Sequence, residues 1–188
     1  MITPKMPSGL DIINGIRMHL TNYIKESVEN ADDIDVTFNI LTGYMATAAA
    51  LDIISNEEYE SSTSPLYHWL IKFRSEPVTF PPLVEPVEKY GLQEEMLLLK
   101  IKLQEHINDN LSKIREPSIN IANYSKSDVL GINKLMLEFG REFNIIDEKE
   151  YKSANEVLLG YQKGNPKILK VLFVPEQFYT KTGKNPEI

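Results

Sequence analysis

The sequence predicts an all-α protein: an irregular helical bundle of about six to eight helices, in two loosely similar halves joined by a proline-rich connector. Three observations predict this. Apolar residues recur at three- and four-residue steps through most of the chain. Helix-start signals precede several of these stripes. One helix-to-helix corner also occurs twice, 92 residues apart.

The first helix opens near Ser8 or Asp11 and runs to Glu29. Ile13, Ile16, Leu20, Ile24 and Val28 form its apolar stripe, while Arg17, Lys25, Glu26 and Glu29 lie mostly off it. A turn at Asn30-Ala31-Asp32-Asp33 follows, with Asp33 or Asp35 as the next cap. The second helix, about Ile34 to Ile53, is apolar or small nearly all round, which predicts a place in the middle of the bundle. Its uncharged run, Val36 to Leu51, is shorter than the ~20 residues that span a bilayer, so it reads as a core helix and no membrane association is expected.

Ser55 and Glu58 have the S-x-x-E spacing of a capping box, with Ile54 and Tyr59 spaced as a hydrophobic staple. Pro65 predicts a break and a fresh helix start, after which Leu66, Trp69, Leu70 and Phe73 face the core. Pro77, Pro81, Pro82 and Pro86 forbid a regular helix and predict an extended connector. The expected divisions are therefore an N-terminal half over 8–75, a connector over 76–89, a C-terminal half over 90–175 and a flexible tail over 176–188.

A long helix is predicted from Gly91 to Arg115, with Leu92, Met96, Leu99, Leu103, Ile107, Leu111 and Ile114 as its stripe. Pro117 ends it, and Ser125 or Ser127 caps the next. In that helix Ile132, Leu135, Met136, Phe139 and Phe143 are expected to be buried. Asp147 and Glu150, with Ile146 and Tyr151, then repeat the device seen at Ser55. The run Ile168–Val174 is short and β-branched, and reads equally as helix or strand.

Composition narrows the function classes. The 188 residues are 42% hydrophobic and 25% charged, so a core can form without a metal or disulfide staple. There is no cysteine, which excludes disulfides, thiolate nucleophiles and thiolate metal ligation. The N-terminus has no apolar signal core, and a cytoplasmic location is expected. The net charge is −7, although five lysines stand against two glutamates from Lys163 onward. An acidic body of this kind disfavours nucleic acid and suits a basic protein partner.

Motifs for chemistry are scarce. His19, His68 and His106 lack partners at ligand spacing, so no metal or other cofactor is expected. No nucleophile elbow or phosphate loop is present. The leading expectation is a non-enzymatic protein-interaction module, of the inhibitor, immunity or adaptor type. Its docking edge would be Glu26, Glu29, Asp32, Asp33 and Asp35. The alternatives are a small-ligand-binding regulatory protein, with Tyr44, Tyr67, His68 and Trp69 lining a pocket between the halves, and an enzyme built around His68.

Overall fold

The computed structural model describes residues 9–72, 77–83, 92–115 and 125–164. These form six helices: α1 (Gly9–Glu29), α2 (Ile34–Ala50), α3 (Asn56–Leu70), α4 (Leu92–Arg115), α5 (Lys126–Glu142) and α6 (Glu148–Gln162). No strand occurs among the described residues, and none of their helices is long and apolar enough to cross a membrane. The ambiguous run 167–174, the tail 176–188 and Phe73 lie outside them. The chain divides into two compact units, Met1–Glu95 and Met96–Ile188.

In the first unit α1 buries Ile16, Leu20 and Ile24, α2 buries Leu41, Met45 and Ala48, and α3 buries Leu66 and Leu70. Asp33 caps α2 by accepting a bond from the Val36 amide at 3.0 Å. The expectation that α2 is covered all round needs correction, since Ile34 and Val36 near its start are exposed. An apolar composition does not reveal where neighbouring helices end.

The predicted break at Pro65 is also absent, for α3 runs through it. A proline inside a helix removes the donor to the carbonyl four residues earlier. That carbonyl belongs to Ser61, an exposed residue where water can replace the lost donor. The preceding turn is braced by side chains, with Ser61 and Ser62 hydroxyls donating to the Glu58 carbonyl and Thr63 to that of Tyr59.

Residues 77–83 form neither helix nor strand, and they are hydrogen-bonded onto α1. The Phe80 amide donates to the Thr21 hydroxyl at 3.2 Å and the Leu83 amide to the Asn14 side-chain oxygen at 2.9 Å. Val78 and Phe80 are buried beneath. Thus amides left without a ladder find acceptors on a helix surface instead.

In the second unit α4 buries Leu99, Leu103, Ile107 and Leu111, and α6 buries Ala154, Leu158 and Tyr161. On α5 the buried face differs from expectation. Met136, Phe139 and Phe143 are buried, but Ile132 is 42% exposed and Leu135 only half-buried. The buried positions include Val129, Asn133, Leu137 and Gly140. Asn133 and Gly140 do not register as apolar, so the stripe reads one position out of place. Asn133 is held by the Asn110 amide at 3.1 Å. Gly140 permits a close approach, for a Cβ there would stand 2.7 Å from Leu103 Cδ2.

Each unit turns one corner in the same way. After α2, Asp52 adopts φ 58°, and the Ile53 and Ile54 amides both donate to the Ala48 carbonyl. After α5, Asn144 adopts φ 56°, and the Ile145 and Ile146 amides both donate to the Gly140 carbonyl. A left-handed residue at this position closes the helix and turns the chain. Capping boxes follow at Ser55 with Glu58 and at Asp147 with Glu150. A third box, Ser125 with Asp128, starts α5.

Candidate functional site

The five acidic residues singled out by sequence gather at the junction of α1 and α2. Glu26 and Glu29 stand on the last turns of α1, Asp32 and Asp33 on the linking turn, and Asp35 on the first turn of α2. All five are exposed, and none forms an ion pair among the described residues. Opening α2 with acids also suits the positive end of its dipole.

Apolar side chains emerge beside them. Val36 is 54% exposed, and Ile34 is exposed one turn before the half-buried Phe38. Positions four apart share a helix face. Phe38 meets Tyr67 of α3 edge-on, with ring centroids 5.4 Å apart, and Tyr67 is itself exposed. The surface therefore combines carboxylates with uncovered large apolar groups, and it could hold a cationic group near an apolar anchor.

The aromatic candidates are distributed differently. Tyr44 is buried and stacked on Tyr23 at 5.3 Å, so it belongs to the core of the first unit. Tyr67 lies on the surface just described. His68 is on the exposed side of α3, edge-on to Tyr67 at 6.2 Å, and Trp69 is half-buried.

Sequence reasoning missed Arg17. Its side chain is only 1% exposed. It donates to the Glu58 carboxylate, to the Ile53 carbonyl at 2.8 Å and to the Pro81 carbonyl. The hydrogen bonds from Arg17 hold the Glu58 carboxyl below the usual glutamate range, against the opposing effect of its partial burial. A signal was present: Arg17 precedes Leu20 by three and Ile24 by seven, which places it on the buried stripe.

Glu95 was missed as well. It is buried, and neither carboxylate oxygen has a hydrogen-bond partner among the described residues. Burial pushes its carboxyl above the usual range, and the nearby Asp11 charge adds to the effect. Its contribution to stability is therefore largest at low pH and declines as pH rises through the raised pKa.

Among the described residues, two clefts lie within the units. One of about 480 Å³ runs between α1 and residues 79–82, beside Asp11 and Met18. The other, about 650 Å³, opens between α5 and α6. Neither is lined by Tyr44, Tyr67, His68 or Trp69. Among the described residues no group of three or more histidines and carboxylates could hold a metal ion. Comparison with family models, curated proteins and solved structures finds no match to this chain.

Proposed function

We propose that this protein is an interaction module whose α1–α2 edge receives a basic segment of a partner protein. One observation carries the reading: five exposed carboxylates, none in an ion pair among the described residues, stand beside the exposed Ile34, whose helix face leads through Phe38 to the exposed Tyr67. Uncovered apolar side chains rimmed by charge mark interaction surfaces more often than plain solvated faces do. In this reading the carboxylates steer a cationic segment to the edge, and the apolar group at its centre holds it there. A cytoplasmic setting belongs to the same proposal and agrees with the lack of cysteine.

We also infer that the two units descend from one duplicated helical element. The matching corners support this. Ile16, Leu20 and Ile24 of α1 also correspond to Leu99, Leu103 and Ile107 of α4, all buried, at an offset of 83 residues that is nine shorter than that of the corners.

The docking reading is tested by capture from a native lysate at low and high salt, using three forms of the full chain. These are the wild type, Asp32→Asn with Asp35→Asn, and Tyr67→Ser. The asparagines remove charge, and the Asp33 cap stays in place. The expected outcome is a basic protein retained at low salt, released by salt, and weakened by both sets of changes. Capture that is indifferent to salt and to both sets would overturn the reading.

A further inference from the structure

The cleft between α5 and α6 has chemistry unlike the rest of the chain. It is formed by the halves of the two helices farthest from the Asn144 corner. The chain as a whole carries −7, yet the described residues lining this cleft include Lys126 and Lys134 and no carboxylate. Eight residues of helix separate these lysines by about 12 Å, so they stand at two ends of one face. The acid closest in sequence, Asp128, has its carboxylate engaged by the Ser125 amide, while its own amide donates to the Ser125 hydroxyl in the α5 cap. Lys134 reaches Glu138 only at 3.8 Å, in an exposed pair that leaves its ammonium available.

The floor is apolar. Leu130 and Leu158 lie within it, and Leu159 at its edge is exposed. Asn155 and Gln162 add neutral hydrogen-bonding groups from α6. Gly131 sits between the lysines in mid-helix, where glycine weakens a helix. A Cβ at this position would meet nothing within 4 Å, so close packing does not account for the glycine. What the missing side chain does provide is open space in the cleft. A volume of about 650 Å³ is within the range of small-molecule sites.

We propose that this cleft binds a small amphipathic organic anion, with its apolar body on the leucine floor and its acidic head between Lys126 and Lys134. Inorganic phosphate would engage the lysines but leave the floor uncovered. A neutral alcohol of the same length would do the reverse.

The test uses the full chain and three probes, decanoate, decanol and inorganic phosphate, read by calorimetry and thermal shift. Saturable binding of decanoate and a higher Tm are expected, with decanol and phosphate at least about tenfold weaker. Lys126→Gln with Lys134→Gln should weaken decanoate about five- to tenfold or more. Gly131→Leu should abolish decanoate binding while leaving the free protein as stable as the wild type, or more so. The proposal is overturned if decanoate shows no saturable binding up to about 10 mM. It is also overturned if the lysine pair and Gly131→Leu both leave binding unchanged. A Gly131→Leu protein that fails to fold would show that the space is already filled by the chain, which likewise overturns it.

Discussion

At Asp52 and at Asn144 the chain leaves one helix and enters the next through the same pattern of hydrogen bonds, but the glutamate closing each corner is held by a different cation. Glu58 is held by Arg17, whose planar fork also reaches the Ile53 and Pro81 carbonyls. One buried side chain thereby ties α1, the corner and the segment 77–83 together. Glu150 is held by Lys100 at 2.7 and 2.9 Å, in a pair that is partly exposed. An ammonium acts as a point charge, whereas a guanidinium offers several donors in fixed directions. The helix carbonyls that close the corners differ too. The first belongs to Ala48, fully buried with its methyl accommodated; the second belongs to Gly140, where Leu103 occupies the space a methyl would need. The same local device thus serves two tasks. It anchors a segment without secondary structure in one unit and brings helices into close contact in the other.

The comparison breaks most sharply at Arg17. Arg17→Met takes its donors away from two backbone carbonyls and from the Glu58 carboxylate, which keeps only the Ser55 amide, and should cost about 3–5 kcal/mol in urea unfolding. Lysine there should recover only part of this. The pair also fixes the sign of the acid response. The pKa of Glu58 is lowered in the folded protein, so its stabilisation is present above the ordinary glutamate pKa and is lost as pH falls through the depressed value. The loss on acidification should therefore be smaller in Arg17→Met than in the wild type. An unchanged urea midpoint would mean that the first corner does not depend on its cation.

Next in size is Gly140→Val, which forces atoms against Leu103 and Ile146 and should cost about 1–3 kcal/mol. Combining it with Leu103→Ala should recover part of the loss if the clash is the cause. Lys100→Met should cost less, about 1–2 kcal/mol, since Glu150 keeps the Asp147 amide and loses a single point charge. A Lys100→Met loss as large as that of Arg17→Met would erase the distinction between the corners. The smallest effects should come from Asp52→Gly and Asn144→Gly. Glycine relieves the left-handed backbone but enlarges the unfolded ensemble, so each should shift stability by no more than about 1 kcal/mol. Thermal unfolding of the two variants side by side would measure whether the corners are equally strained.

Sequence alone determined what a few contiguous residues settle among themselves. The Ser55 and Asp147 caps and both corners were legible because their hydrogen bonds close within about five residues, and likewise the cap of α2 was narrowed to Asp33 or Asp35, of which the structure uses Asp33. The exposed acidic junction was legible for the same reason: charges clustered on a turn have little choice but solvent. Tertiary structure decided the rest. Arg17 is buried only because Glu58 and Pro81 arrive from far along the chain, and Gly140 is buried only because Leu103 does. Pro65 is tolerated on a turn where Ser61, whose carbonyl loses its donor, is exposed, and Tyr67 joins the acidic edge only through Phe38 on another helix. Local signals report the strength of a residue's own backbone bonds. Which face is covered, and by which distant side chain, depends on packing energies that no single segment contains.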